Sequence, residues 1–266
     1  MKTAKSGLIV LDIDGTILDG PAGIPVLSEV REAVKAAREA GARVCLCSAR
    51  PCYYMQDAIE GLDDVDALIG CSGAMIQRDG EYLYKAAVPH AHLLACFKTA
   101  KEKDMYLSFA GDEKIIVSKR GPVSLPLERD SAFVILEDRE LLKALDAAEY
   151  YCAYIFTEVG VTKEEVFEDP CFKTATIHKS SLDSFNLTKG GTDKGTGVKL
   201  LAELWGIPRE EILAVGNDEN DIPMFEAAGI GVAVANASED VIAAADWVAP
   251  DVKCAGAAEA IRRFAL

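Results

Sequence analysis

The sequence lacks the features that usually mark zinc-binding, disulfide-linked and membrane-spanning chains. None of its eight cysteines forms a C-x-x-C pair, and several lie in apolar strand-like runs, so we expect reduced, buried thiols. Only three histidines are present. His90 and His92 have the spacing of metal ligands, but no third ligand is evident. No window approaches the roughly 20 apolar residues that a membrane span needs.

Basic side chains are also scarce. The 266 residues include 28 Lys and Arg against 43 Asp and Glu, for a formal net charge of -15. This balance argues against a nucleic-acid or membrane-surface partner and leaves a small, metal-bound ligand compatible. Half of the residues are hydrophobic, which is enough for one large domain or two modest ones. We predict a cytoplasmic globular protein, with no prediction for its oligomeric state.

The most informative motif begins where the first apolar run ends. Residues 8–11 are large aliphatics bounded by turn residues, which predicts a strand buried on both faces. Asp12 and Asp14 then lie at its carboxyl end, where open α/β sheets place their ligand sites, and Gly15 and Thr16 turn the chain. A strand that simply ends in an acidic turn is common, so this motif alone leaves both interpretations open.

Strand-like and helix-like segments alternate at both ends of the chain. Further strands are predicted at Arg43–Cys47, Ala67–Gly70, Ile212–Val215 and Gly231–Val234, with helices opening at Pro25, Pro51 and Lys194. Strand, helix, strand in succession predicts a doubly wound, Rossmann-like parallel sheet with right-handed crossovers.

The alternation breaks in the middle of the chain. Helices are predicted near residues 93–103 and 141–148, with strands near 106–109, 114–118, 132–136, 154–156 and 174–178. This pattern favours an α+β insert with antiparallel strands. The predicted domains are therefore a first core part at 1–83, the insert at 84–186 and a second core part at 187–266.

Four short motifs occur in a fixed order. They are Asp12-Ile13-Asp14-Gly15-Thr16, Ser48 with Arg50, Lys194 within Asp193-Lys194-Gly195-Thr196, and the run from Gly216 to Asp221. In this order they resemble the motifs of the haloacid dehalogenase (HAD) superfamily of phosphohydrolases, in particular its Cof-type branch of sugar-phosphate phosphatases. The insert resembles the large α/β cap of that branch. The resemblance implies a Rossmann-like HAD core with an α+β cap domain.

The resemblance also implies roles for the two aspartates. Asp12 would attack phosphorus, form an aspartyl-phosphate and ligate Mg²⁺. Asp14 would bind the metal through its backbone carbonyl, protonate the leaving alkoxide and later deprotonate the attacking water. Mg²⁺ is the implied cofactor, because a carboxylate approaches a phosphate dianion only when cations neutralise the charge.

A phosphate-binding set follows from the same resemblance. Ser48 and the backbone N–H of Ala49 would donate hydrogen bonds to the phosphoryl group. Lys194 would pair with its oxygens and hold Asp12 ionised. Asn220 would orient the phosphate, and Asp221 would support the metal or Lys194.

Each of these residues, taken alone, has a simpler interpretation. Ser48 after a strand is more often a turn or cap residue, and Lys194 before an amphipathic helix is more often a solvated charge. Arg50 either contacts the substrate or pairs on the surface with Asp57 or Glu60. The joint occurrence of the motifs in order is what favours the functional interpretations.

Two positions depart from the family pattern. Ala49 stands where glycine is usual, a mild change that keeps the backbone N–H. Asn217 stands where the family has a metal-binding aspartate, so the site loses one negative charge. Asp218 is adjacent and would compensate only if the loop shifts. The run from Asp218 to Asp221 lacks the spacing of a calcium loop.

Three functions remain open at this point. The first is a Mg²⁺-dependent phosphatase that acts on a small phosphorylated metabolite, with a sugar phosphate expected. The second is a phosphotransferase or mutase on the same scaffold, similar to a phosphomannomutase. The third is a non-catalytic phosphometabolite-binding protein, which the amide of Asn217 makes conceivable.

Overall fold

The chain forms two compact units. A computed structural model describes residues 7–19, 25–60, 62, 65–118, 131–181 and 183–266. The core unit consists of Met1–Tyr84 with Asp193–Leu266, and the insert unit of Lys85–Thr192. The predicted boundary after residue 186 is wrong, because it cuts through the strand Ser184–Lys189, which pairs within the insert. Residue 84, predicted to open the insert, belongs to the core unit.

The elements alternate in the core and mix in the insert. The described strands are β1 (Leu8–Leu11), β2 (Arg43–Cys47), β3 (Ala67–Gly70), β4 (Met75–Arg78), β5 (Glu81–Lys85), β6 (Tyr106–Ala110), β7 (Ile115–Val117), β8 (Phe133–Ile135), β9 (Cys152–Phe156), β10 (Ala175–Ser181), β11 (Ser184–Lys189), β12 (Ile212–Gly216), β13 (Ile230–Val234) and β14 (Trp247–Ala249). The described helices are α1 (Ser28–Glu39), α2 (Gln56–Ile59), α3 (His90–Glu102), α4 (Asp138–Ala147), α5 (Lys163–Val166), α6 (Lys194–Trp205), α7 (Ile222–Ala227), α8 (Glu239–Ala244) and α9 (Gly256–Phe264).

The core sheet has the strand order β14-β13-β12-β1-β2-β3-β4-β5. The pairs from β14 to β3 are parallel, whereas β4 runs antiparallel to β3. The chain leaves β1 for β2 on one side, and β12 from the far end of the sequence pairs on the other. The strand order therefore reverses next to β1, and ligands bind at such a switch point, beyond the carboxyl ends of the strands.

Strand β1 is buried on both faces, as its unbroken aliphatic sequence predicts. Ile9 and Leu11 pack into a core with residues of α1 and α9. Leu8 and Val10 pack on the opposite face with residues of α6 and α7. Burial on both faces holds the end of this strand rigid, which fixes the position of the residue that follows it.

The insert unit carries a second sheet, in the order β10-β11-β9-β6-β7-β8. Its pairs are antiparallel except β7 with β8, which are parallel, so the expectation of antiparallel strands throughout is wrong for that pair. One face is apolar: Leu107, Ile155 and Leu187 pack there with residues of α3 and α4. The other face carries polar side chains and is considered below.

Some elements differ from the sequence-based expectation. Helix α1 begins at Ser28 rather than at Pro25, because Leu27 still has extended backbone angles. The short strands β4 and β5 were not predicted, since five residues or fewer with one half-exposed face give only a weak periodicity.

The cysteines are free thiols, and six of the eight are buried. Burial raises the pKa of the Cys52 thiol to about 12 and raises those of Cys45 and Cys96 as well. These thiols pack as small apolar groups, as their positions in apolar runs predict. Among the helices that the structure describes, none is long and apolar enough to cross a membrane.

Candidate active site

The predicted site residues meet at the carboxyl edge of the core sheet. Asp12 follows β1, Ser48 follows β2, and residues 217–221 follow β12. Lys194 is the first residue of α6, whose amino end faces the same edge through its contacts with Asp12 and Asp221. Parallel neighbouring strands bring their carboxyl ends together, so residues more than 180 positions apart come into hydrogen-bonding contact.

Lys194 lies between two carboxylates in the buried centre of this cluster. Its Nζ donates to Asp12 Oδ1 at 2.6 Å and to Asp221 Oδ1 at 2.5 Å, and its side chain is 1% exposed. Burial alone lowers the pKa of Lys194, but the charges of Asp12 and Asp221 outweigh it and raise that pKa. Lys194 is therefore a permanent cation rather than a solvated surface charge.

One carboxylate oxygen of Asp12 accepts a hydrogen bond from Lys194, and the other accepts one from Thr16. Thr16 Oγ1 donates to Asp12 Oδ2 at 3.1 Å. Burial first, and then the nearby charge of Asp221, raise the pKa of Asp12 to about 7 against the opposing effect of Lys194. A buried carboxylate with a cation beside it is a competent nucleophile once the substrate's charge is neutralised.

Asp221 organises the fourth motif. Its Oδ2 accepts hydrogen bonds from the backbone N–H groups of Asn217 at 2.8 Å and Asp218 at 3.0 Å. Asp218 caps the 3₁₀ turn that follows, with Oδ1 accepting from Glu219 N at 2.8 Å, and burial raises the pKa of Asp218. The acidic run is thus a capped turn fixed to Lys194. It is not a calcium loop.

Asp14 and Arg50 form an ion pair at the edge of the site. Arg50 Nη2 lies 2.5 Å from Asp14 Oδ1, and Arg50 Nε donates to Asp14 Oδ2 at 2.8 Å. This two-point geometry is the strong form of an arginine–carboxylate contact. Asp14 remains 47% exposed, so its carboxylate is accessible. Arg50 therefore forms an ion pair with the acid/base candidate itself.

Ser48, in the turn after β2, and Asn220, in the turn after β12, are both buried. Ser48 Oγ accepts from Arg50 N at 3.1 Å, so the hydroxyl shapes the turn; a hydroxyl can donate at the same time. Ala49 lies between Ser48 and Arg50 in the turn after β2. Like any residue except proline, it has a backbone N–H. Asn220 is 4% exposed, and its Oδ1 has no hydrogen-bond partner in the described part of the chain.

Asn217 completes the group of oxygens around Asp12. One end of its amide lies 2.8 Å from Thr16 Oγ1, 3.1 Å from Asp12 Oδ2 and 2.8 Å from the Asp14 carbonyl oxygen. All three can accept a hydrogen bond, so this end is the NH₂ group. Within the described ranges, no group of three or more His, Cys, Asp or Glu side chains could hold a metal.

A divalent cation nevertheless fits the donor chemistry at this point. The Asp12 carboxylate, the Asp14 carbonyl and, after rotation of its amide, the Asn217 oxygen are the hard oxygen ligands that Mg²⁺ prefers. Mg²⁺ is commonly bound through only one or two carboxylates, with waters and substrate phosphate completing its shell. The Asp221 carboxylate instead accepts from Lys194 and from two backbone N–H groups, and the Asp218 carboxylate accepts from Glu219 N.

Three contacts that support the site were not predicted. Asn236 Nδ2 donates to the Gly15 carbonyl at 2.7 Å, while its Oδ1 accepts from Val252 N at 3.0 Å, which anchors the turn after Asp14. Asp193 and Thr196 form a reciprocal capping box at the start of α6. The Asp193–Thr196 spacing is readable from sequence, but a contact across 221 positions is not.

Gly73 fixes the approach of α6. It has φ +98°, and a methyl group added there would overlap the carbonyl oxygen of Asp193. Gly41 has the same φ with open space around it. We expect Gly41→Ala to cost about 1–2 kcal/mol of unfolding free energy from backbone strain, and Gly73→Ala about 3 kcal/mol or more. Urea unfolding of both variants measures the difference, and equal losses would show that close packing at Gly73 is unimportant.

Comparisons with known proteins agree with this geometry. A family model of haloacid dehalogenase-like hydrolases matches residues 9–261. A phosphoglycolate phosphatase of Methanoculleus marisnigri is 28% identical over 264 residues, covering 96% of this chain and 95% of that protein. The putative phosphatase YxeH of Bacillus subtilis is 26% identical over 276 residues, covering 97% and 98%.

Solved structures match along nearly the whole chain. The structure of a HAD subclass IIB sugar phosphatase superposes with a TM-score of 0.87 and 25% identity, covering 97% of this chain and 99% of that one. A haloacid dehalogenase-like hydrolase of B. subtilis gives a TM-score of 0.85, again at 25% identity. The fold class predicted from the motifs is confirmed, and the chain belongs to the haloacid dehalogenase-like hydrolases.

Proposed function

We propose that this hydrolase is a Mg²⁺-dependent phosphatase that removes phosphate from a small metabolite, a sugar phosphate, through an aspartyl-phosphate intermediate. The observation that carries the proposal is the buried Asp12–Lys194–Asp221 cluster, which holds one carboxylate at the end of β1 beside a permanent cation. The phosphatase names of its relatives support the same class of reaction.

Asp12 is the proposed nucleophile. One of its carboxylate oxygens forms the new bond to phosphorus as the bond from phosphorus to the leaving-group oxygen breaks. Asp14, released from its ion pair with Arg50 and protonated, gives its proton to the leaving alkoxide. Asp14 then takes a proton from the water that attacks phosphorus, so that inorganic phosphate leaves and Asp12 returns as a carboxylate.

The phosphoryl oxygens need donors and positive charge. We assign Lys194, Ser48 Oγ and the N–H of Ala49 to this role, because Lys194 contacts Asp12 and the other two residues follow β2, the parallel neighbour of β1. Asn220 is added because its buried amide has an unsatisfied oxygen, which can accept from a protonated phosphate or a water beside it.

Mg²⁺ would be held by Asp12, the Asp14 carbonyl and Asn217, with Asp218 and Asp221 supporting through water. When bound, it neutralises the charge on the phosphoryl oxygens, so that an anionic nucleophile can approach. The chain's own part is to fix Asp12 by its contacts with Lys194 and Thr16 and to keep its oxygens pointed to one place.

We propose that Arg50 leaves its ion pair with Asp14 and binds the phosphorylated substrate when the substrate enters the site. We expect Arg50→Ala to raise KM roughly tenfold with a smaller change in kcat, because a charged contact to the bound substrate is lost. Arg38→Ala serves as the control, since Arg38 pairs with Asp66 away from the site. If kcat falls while KM stays constant, Arg50 acts by positioning Asp14 and does not bind substrate.

The insert is proposed to select the leaving group. The polar face of its sheet presents Ser108, Tyr154, Asn186 and His178, which are neighbours in the strand register. Asn186 is buried, and its Nδ2 has no partner in the described chain. No Lys or Arg shares this face among the paired residues of β6, β9, β10 and β11, so hydroxyl groups suit it better than a carboxylate.

A screen of phosphorylated metabolites with Mg²⁺ tests the proposal. We expect phosphate release from sugar phosphates with kcat/KM at least about tenfold above that for phosphoglycolate. A preference for phosphoglycolate would contradict the assignment of the leaving group. Release that requires an acceptor would indicate a mutase, and stoichiometric binding without turnover would indicate a binding protein.

A further inference from the structure

The amide of Asn217 lies where either its nitrogen, as a hydrogen-bond donor, or its oxygen, as a metal ligand, could point to the same place. Its NH₂ end lies 2.8–3.1 Å from Thr16 Oγ1, Asp12 Oδ2 and the Asp14 carbonyl, and its two hydrogens can serve two of these oxygens at a time. Two of these oxygens are the proposed Mg²⁺ ligands. Oxygens that share an octahedral Mg²⁺ with bonds of about 2.1 Å lie about 3 Å apart, the same distance as a hydrogen bond. Rotation of the amide by half a turn therefore exchanges nitrogen for oxygen without moving the backbone.

We propose that Asn217 is a two-state residue of the metal site. Without metal, its NH₂ group closes the site by donating to the oxygens of Asp12 and Asp14. With metal, its carbonyl oxygen faces the ion. The inference rests on the proposed Mg²⁺ dependence and deepens it: the metal must first break hydrogen bonds that an aspartate could not make.

The adjacent carboxylates of Asp218 and Asp221 already accept other hydrogen bonds. Asp221 is bound to Lys194 through one oxygen and to two backbone N–H groups through the other. Asp218 caps the turn at Glu219. Asn217 therefore stabilises the metal-free site and weakens its affinity for Mg²⁺, and the chain requires more Mg²⁺ than an aspartate at this position would.

The test compares Asn217→Asp with the wild type by calorimetric Mg²⁺ titration and by thermal unfolding in a chelator. We expect the variant to bind Mg²⁺ about tenfold more tightly, because it gains a charged ligand. We also expect its metal-free Tm to fall by several degrees, because the new carboxylate oxygen would face Asp12 Oδ2 and the Asp14 carbonyl at about 3 Å without a hydrogen to share. Gln56→Glu, which adds a charge at an exposed position of the core unit, should change neither value.

A second variant keeps the test decisive if Asn217→Asp folds poorly. Asn217→Ala removes both the donor and the ligand, so metal-free Tm and Mg²⁺ affinity should fall together. The Asn217 NH₂ resonances, assigned by their loss in this variant, should shift when Mg²⁺ is added to the wild type.

The possible results separate this inference from the proposed function. Unchanged Tm and Kd in Asn217→Asp, with Asp218→Asn losing Mg²⁺ affinity, would overturn the role of Asn217 and leave the phosphatase proposal standing. If neither the wild type nor Asn217→Asp binds millimolar Mg²⁺, the metal dependence falls and this inference falls with it.

Discussion

Replacing Asp12 with asparagine should abolish phosphate release, with kcat reduced by roughly 10⁴-fold or more, as for other catalytic nucleophiles. The amide is a poor nucleophile, so the covalent step is lost. The side chain keeps nearly the same shape, and its oxygen can still accept from Lys194, so the fold should persist. Steady-state assays on the best substrate of the screen measure the loss, and circular dichroism checks the fold.

The matched control for this substitution is Asp240→Asn, an exposed aspartate in the first turn of α8. It makes the same chemical change in the same unit and should leave kcat within about twofold, since surface substitutions seldom matter. Fluoroberyllate, which mimics a phosphoryl group, should bind to the wild type and not to Asp12→Asn. Retained turnover in a folded Asp12→Asn protein would refute the proposed mechanism.

Much of the core was predictable because its signals are local. An unbroken aliphatic run such as residues 8–11 is typical of a strand buried on both faces, and β1 is one. Apolar strands followed by Asp12, Ser48 and Asn217 place polar groups at one edge whenever the strands are parallel. That principle brings Asp12 and residues 217–221 to one edge without knowledge of the strand order, whereas Lys194, at the start of α6, was assigned to the site by the family resemblance.

The rest depends on contacts that the chain makes only once it is folded. The Asp14–Arg50 pair joins the segments that follow two neighbouring strands, and the same arginine would equally suit Asp57 or Glu60, which follow it along the chain. The boundary at residue 186 failed because β11 forms its ladder with β9 and β10, while sequence pattern gives no pairing register. The orientation of the Asn217 amide depends on oxygens of Asp12, Asp14 and Thr16. These residues follow β1, whereas Asn217 follows β12, so the sequence does not show that they meet.

The buried cation of the site also controls stability. We expect Lys194→Met, measured in a chelator near neutral pH, to lower the free energy of unfolding by about 3–5 kcal/mol. Methionine fills a similar volume, so the loss reflects charge: Asp12 and Asp221 remain buried without their shared cation. Lys199→Met, at an exposed position of the same helix, should stay within about 0.5 kcal/mol of the wild type.

The pH dependence of this loss identifies its cause. Burial already raises the pKa of Asp12 to about 7 with Lys194 present, and removal of the cation can only raise it further. The folded variant then binds protons that the unfolded chain, with an aspartate pKa near 3.9, does not, so its stability rises as the pH falls between these values. The deficit of Lys194→Met should therefore be smaller at pH 5 than at pH 8.

Adding Asp221→Asn should recover part of the loss, because only one carboxylate is then left unpaired. A deficit that is the same at both pH values and in the double variant would mean that packing, and not charge, is what Lys194 contributes.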